Sequence, residues 1–295
     1  MKRFYTLSIS LLAFVFATAQ QRVSLEGADE SVRLWDNTTA KYSNFQTRDE
    51  QFRKGKKNAM QYTSSCELYI FKAKAEKNQG VAIVICPGGA YSSLGFDIPL
   101  AKWYASQGIT AAIVKYRLPN RGHYEATLED AMGAVRYLRT RSDLGIDPAK
   151  VGVTGSSAGG HLSTWVSNAM PVGEKPAFVI PLYGWINIYE SNSLAAEKAL
   201  VQLLGPGYNS QKAINLSTHL MVDENTSPTL LFLCYDDSLV PSTDGVEYYE
   251  ALVRHGVKAS MHIFPFGGHS VKKHTAEYQT LIIEWLKYLG LISEK

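Results

Sequence analysis

Short apolar runs and helically spaced apolar residues alternate along this chain from about residue 66 to residue 289. The runs at 66–71, 81–86, 109–116, 151–154, 178–182, 229–234 and 259–264 are dominated by Val, Ile, Leu, Ala and Phe. Runs of that length without polar alternation predict strands buried on both faces of a parallel sheet. Between them the period changes. Residues 99–107 predict a helix stopped by Gly108, and over 127–141 Leu128, Ala131, Met132, Val135 and Leu138 recur on one helical face while Glu129, Arg136 and Arg139 fall elsewhere. Helices are also predicted over 158–169 and 243–255, and in a last segment where Leu281, Ile282, Trp285, Leu286 and Leu289 line up. Strands that alternate with helices in this way predict an α/β fold: one doubly wound, mostly parallel sheet with helices on both faces.

Two stretches break the rhythm. Residues 20–60 are polar and predict an irregular N-terminal segment, and the basic run Arg53-Lys54-Gly55-Lys56-Lys57 within it reads as a solvated loop. Residues 187–227 are polar around Gly205-Pro206-Gly207 and predict a small insertion after the sixth strand of the fold. At the start, Met1-Lys2-Arg3 precedes a mostly apolar stretch, and Ala17-Thr18-Ala19 has the small-x-small form of a signal-peptidase site. That pattern predicts a signal peptide over 1–19, a single domain over 20–295, and a secreted or periplasmic protein. The uncharged stretch is interrupted by Thr6, Ser8, Ser10 and Thr18 and falls short of the ~20 apolar residues that a membrane span requires.

Composition narrows the classes further. A chain of 295 residues that is 45% hydrophobic and 19% charged has globular composition, which excludes a disordered chain. A net charge of +3 gives no reason to expect nucleic acid or an anionic membrane as partner. Three cysteines without a CxxC pair argue against a zinc knuckle or a paired disulfide set, and Cys86 and Cys234, at the ends of apolar runs, read as buried thiols.

The chemistry is carried by Gly155-Ser156-Ser157-Ala158-Gly159, a G-x-S-x-G sequence with an apolar strand before it and a helix after it. A serine at the apex of so sharp a turn needs neighbours without bulk at positions two before and two after, and its hydroxyl then stands above the sheet at a helix N-terminus. A serine nucleophile needs a base and an acid that orients the base. Asp236-Asp237 follows the strand at 229–234, Gly267-Gly268-His269 follows the strand at 259–264, and the order Ser, Asp, His is the one this topology uses. Asp236 and Asp237 are both candidate acids and His269 is the base; His161 reads as a packed neighbour of the nucleophile. Oxyanion donors are expected from the amide of Ala158 and from Gly88 and Gly89, in the loop Pro87-Gly88-Gly89-Ala90-Tyr91. No His, Asp or Glu cluster has metal-ligand spacing, so neither metal nor cofactor is expected.

Taken together, these motifs resemble the α/β-hydrolase superfamily, and more narrowly the secreted bacterial esterases related to the hormone-sensitive lipase group, among them carbohydrate acetylesterases acting on xylan. Lys115-Tyr116-Arg117-Leu118-Pro119, Leu128-Glu129-Asp130-Ala131 and Gly160-His161-Leu162 add to the likeness. It departs from the pattern at Pro87, where many relatives carry His, and at Ala90, where a third glycine is usual. The resemblance implies Ser157 as nucleophile, Asp237 as acid, His269 as base, and removal of acetyl groups from a carbohydrate or small-molecule ester. Tyr91 and Trp185, aromatic residues near the expected cleft, are candidate sugar contacts. A prolyl-oligopeptidase-like peptidase, or another small-acyl ester or amide hydrolase, shares the same machinery and stands as the alternative, with a non-catalytic glycan-binding relative behind it.

Overall fold

The computed structural model of the chain describes residues 25–190 and 194–293, so the signal peptide expected over 1–19 lies outside the described residues. In chain order the strands and helices are β1 (Glu30–Asp36), β2 (Gln51–Phe52), β3 (Ala59–Gln61), β4 (Ser65–Phe71), β5 (Ala82–Cys86), β6 (Leu94–Gly95), α1 (Ile98–Ser106), β7 (Thr110–Lys115), α2 (Tyr124–Arg139), β8 (Val151–Ser156) and α3 (Ala158–Ala169). They continue with β9 (Val179–Leu182), α4 (Leu194–Leu204), α5 (Ser210–Leu216), β10 (Thr229–Cys234), α6 (Ser242–Arg254), β11 (Ala259–Phe264) and α7 (Thr275–Tyr288).

Eight strands form one sheet in the order β1-β4-β7-β5-β8-β9-β10-β11. The first two pairings are antiparallel and every pairing from β7 onward is parallel. Each residue of β5, β7 and β10 is buried, as a continuous apolar run in a covered parallel sheet requires. The chain runs from β5 to β7 on one side and then crosses to β8 on the other. A crevice therefore opens at the carboxyl ends of β5 and β8, where ligands bind in sheets of this kind. The register pairs Cys86 with Gly155, so the loops after β5 and β8 leave the sheet at one level and face each other.

Two segments are more ordered than their polar composition suggests. Residues 20–60 are not irregular throughout: β1 is the edge strand of the main sheet, and β2 and β3 join β6 in a three-stranded sheet. A register shift between Arg33 and Trp35 breaks the alternation in β1, and every residue of the strand is only partly buried, so the usual period-two signal is absent. The segment 187–227 contains α4 and α5, and Ala196, Ala199, Leu200, Leu203 and Leu204 of α4 are buried. Their helical spacing is diluted when composition is averaged over the whole segment.

Two buried cations tie the N-terminal segment to the sheet. Arg117, fully buried after β7, holds Asp130 of α2 at 2.7 Å and Glu129 at 2.9 Å and also donates to the Tyr42 carbonyl, while Trp35 donates to Asp130 at 2.5 Å. Lys115 meets Glu50 at 2.5 Å and Glu67 at 3.3 Å. Cys66, Cys86 and Cys234 are free and buried.

Candidate active site

Ser157 stands between the end of β8 and the start of α3 with φ 55 and ψ −120, a conformation that a side-chain-bearing residue holds only under restraint. The restraint is backbone hydrogen bonding. Its amide donates to the Leu182 carbonyl at 3.0 Å, and its carbonyl accepts from His161 at 3.1 Å and Trp185 at 3.2 Å. The flanking glycines are required by space, since a Cβ at Gly159 would collide with the Cys86 carbonyl oxygen and one at Gly155 with the Gly159 carbonyl.

The loops after β10 and β11 bring two further groups to this serine. His269 places Nε2 2.7 Å from Ser157 Oγ and Nδ1 2.7 Å from Asp237 Oδ2. Burial alone would raise the Asp237 carboxyl, but hydrogen bonds from His269 and from the amides of Val240 and Leu239 outweigh it and hold the group below its ordinary range. Asp237 is therefore an acceptor only, so Nδ1 carries the imidazole proton and Nε2 is free to accept from the serine hydroxyl. Asp236 points elsewhere: it is exposed and accepts from the Gly268 amide at 2.7 Å, which braces the loop that carries His269. The Tyr183 ring, at φ 37, packs edge-on against His269 with ring centroids 4.9 Å apart.

Across from Ser157 lies the loop after β5, where Gly89, Ala90 and Tyr91 have consecutive positive φ values of 136, 53 and 54. For Ala90 and Tyr91 that conformation costs about 1–3 kcal/mol each, and the surroundings must impose it. They do so at several points. Gly95 donates to the Gly88 carbonyl at 2.8 Å, Ser92 and Ser93 donate to the Gly89 carbonyl at 3.0 and 3.1 Å, and the Tyr116 hydroxyl donates to the Pro87 carbonyl at 2.7 Å. Among the described residues the amides of Gly88, Gly89 and Ala90 donate to nothing, and that of Ala158, first in α3, has no partner within its helix. Gly88 lies against the backbone of Ser156, where a Cβ would not fit. Ala90, left out of the donor set expected from sequence, borders the space beside Ser157, as Gly89 does.

Tyr91 does not reach that space. It is fully buried, and its hydroxyl donates to His161 Nδ1 at 2.5 Å, while His161 Nε2 donates to the Leu216 carbonyl at 2.7 Å. Burial lowers the His161 pKa to about 4, so the imidazole is neutral and serves as a relay from the loop to the end of α5. Tyr91 was expected to contact sugar; instead it anchors the loop from beneath, because the positive φ of Ala90 and Tyr91 turns its side chain inward.

Two cavities meet at Ser157 and His269. One is a polar cleft of about 500 Å³ bordered by Gly88, Gly89, Ser92, Asp97, Tyr183 and Lys272. The other holds about 80 Å³ and is walled by Ala90, Ala158, Trp185, Ala196, Ala199 and Val240. Trp185 was expected to stack on a sugar in the open cleft. Only 5% exposed, it walls the small cavity instead. Leu239 borders both. Sequence reasoning missed Ala196, Ala199 and Leu239; the spacing of α4 was the signal for the first two, and none marks Leu239. Among the described residues no group of three His, Cys, Asp or Glu side chains is placed to hold a metal ion, and no helix is long and apolar enough to cross a membrane.

Residues 102–290 match the model of the prolyl oligopeptidase family, a stretch that begins within α1 and takes in the nucleophile turn and both loops that carry Asp237 and His269. The chain belongs to the prolyl oligopeptidase family. As a member of that family it has the α/β-hydrolase fold. It is similar to an acetylxylan esterase of Xylanibacter ruminicola, 35% identical over 204 residues, which are 66% of this chain and 42% of the relative. The matched residues thus span less than half the length of that protein. It is also similar to an ethyl acetate hydrolase of Pseudomonas putida, 26% identical over 70% of this chain and 73% of the relative. Among solved structures, an acetyl ester-xyloside bifunctional hydrolase from Caldicellulosiruptor lactoaceticus superposes with a TM-score of 0.73 at 28% identity, covering 90% of this chain and 97% of that one.

Proposed function

We propose that this protein is a serine esterase that removes acetyl and similarly small acyl groups from carbohydrate, acetylated xylan included, and that it acts outside the cytoplasm. The observation that carries the reading is the asymmetry around Ser157: a small apolar cavity on one side and a large polar cleft on the other. An apolar cavity of ~150 Å³ takes benzene; one of about 80 Å³ suits an acyl group of two or three carbons. The polar cleft suits the sugar that leaves. The acetylxylan esterase and acetyl ester-xyloside hydrolase among the relatives support this substrate class, and the basic and apolar start of the chain supports export.

In this mechanism Ser157 Oγ gives its proton to His269 Nε2 and attacks the acyl carbon. The negative charge that develops on the carbonyl oxygen is met by the amides of Gly89, Ala90 and Ala158. Asp237 keeps the imidazole in the productive tautomer and stabilises the imidazolium. The proton on Nε2 then passes to the sugar oxygen as the bond between that oxygen and the acyl carbon breaks, leaving an acetyl-Ser157 ester. Water, deprotonated by the same nitrogen, releases acetate and restores the serine.

Aryl esters of increasing chain length test the reading. An acyl group two carbons longer must push against Trp185, Ala196 or Ala199. Overpacking of that kind costs about 1–3 kcal/mol, so acetate esters should exceed butyrate esters in kcat/KM by roughly tenfold or more and octanoate esters should hardly react. The family match keeps a peptidase as the second reading. Cleavage of dipeptide anilides faster than aryl acetates would favour it, and preference for octanoyl esters would remove the small-acyl assignment.

A further inference from the structure

The polar cleft does not end at the catalytic groups. A second cavity of about 690 Å³ is bordered by Phe52, Arg53, Lys56, Lys57, Asn58 and Ile98, and it shares Arg53, Lys56 and Asn58 with the cleft. The two cavities meet at the turn between β2 and β3, and the first of them reaches Ser157. The basic run at 53–57 is that turn. Its backbone is fixed, with Arg53 donating to the Ala59 carbonyl at 2.7 Å and Lys56 to the Arg53 carbonyl at 2.9 Å. β3 pairs with β6, and Gly95 of β6 bridges Gly88, so the turn is tied through the small sheet to the oxyanion loop.

Four cations line these two cavities: Arg53, Lys56 and Lys57 on the turn, and Lys272 beside His269. Among the described residues none of them takes part in an ion pair, whereas Arg33, Lys115, Arg117 and Arg141 do. The acidic side chains on the same walls are Glu26 and Asp97, and Asp97 is engaged as the cap of α1, accepting from Leu100 at 3.2 Å. A cleft lined mainly by one sign of charge concentrates ligands of the opposite sign. Phe52, 38% exposed, adds a ring face on which a sugar can lie.

We propose that the leaving-group side of the site takes an acidic glycan, with carboxylates of uronic acid units meeting Arg53, Lys56, Lys57 and Lys272 while an acetylated ring sits at Ser157. This deepens the esterase reading and rests on it. The test compares acetylated xylo-oligosaccharides that carry glucuronic acid with their carboxyl-reduced, neutral counterparts, and follows an aryl acetate in parallel. Exposed ion pairs are individually weak, so the acidic substrate should be favoured by roughly three- to tenfold in kcat/KM at low ionic strength, with parity approached near about 1 M salt. The preference should lie in KM, because the carboxylate is bound equally in ground and transition states. The double substitution Arg53→Gln with Lys56→Gln should bring the ratio to about one. Lys54→Gln, in the same turn but on neither cavity wall, should keep the wild-type ratio. A wild-type enzyme that cleaves aryl acetate and both oligosaccharides without preference overturns the acidic-glycan proposal and leaves the esterase standing, as does a preference that survives the double substitution. Failure to cleave any of the three overturns both.

Discussion

Asp236 and Asp237 are adjacent and chemically identical, yet only Asp237 lies 2.7 Å from the His269 imidazole, while Asp236 binds a backbone amide. Asp237→Asn should therefore leave His269 without an acceptor and reduce kcat by about a thousandfold or more through the wrong tautomer. Asp236→Asn should cost no more than about tenfold, since an amide oxygen still accepts from Gly268; steady-state kinetics on an aryl acetate checks the ranking, and the reverse order would move the acid to Asp236. His161 supplies a pH signature. Its folded pKa of about 4 lies below the ordinary 6.5, so below pH 6.5 the unfolded chain takes up a proton that the folded chain refuses. Its contribution is thus complete above that pH and is lost as pH falls toward 4, a loss on the order of 3 kcal/mol. Urea unfolding across this window should show stability falling with pH more steeply in the wild type than in His161→Gln; equal slopes would mean that His161 is not held neutral. At this scale the triad candidates were legible because G-x-S-x-G and the Ser, Asp, His order are dictated by backbone sterics and topology. The inward turn of Tyr91 was not, because it depends on positive φ values at two non-glycine residues.

At the scale of elements, the strands of the parallel sheet were legible because burial on both faces leaves an uninterrupted apolar run. β1 was not, since a bulge shifts its register, and α4, itself mostly apolar, was hidden because the segment 187–227 as a whole is polar. That helix has the larger consequence for function. Ala196 and Ala199, one turn apart, present small side chains to the cavity beside Ser157. Ala199→Leu should fill that cavity, lowering kcat/KM for propionate more than for acetate and widening the preference for the shortest chain by about tenfold. Trp185 lines the same cavity. If Ala199→Leu leaves the ratio of propionate to acetate turnover unchanged, the acyl group does not occupy this cavity. The motif around Arg117 and Asp130 is legible in sequence only as a resemblance; its physical content, a buried ion pair that joins β7, α2 and residues 35–42, emerges from the fold.

For the whole molecule, the crossing from β7 to β8 determines where chemistry can occur. It sets the loops after β5 and β8 side by side, and β10 and β11 then deliver Asp237 and His269 to the same edge. That convergence follows from alternating strands and helices, and it was legible. The division of the space into a small apolar cavity, a polar cleft and a basic extension was not, since it is made by α4, Trp185 and the β2–β3 turn together. Acetate released from acetylated xylo-oligosaccharides by wild-type protein and by Ser157→Ala, measured side by side, tests the combined reading most directly. Steady release by the wild type and a fall of at least about a thousandfold in the variant are expected. Release by the variant within about tenfold of wild type, or none from wild-type protein that still cleaves an aryl acetate, would contradict a serine acetylesterase acting on carbohydrate.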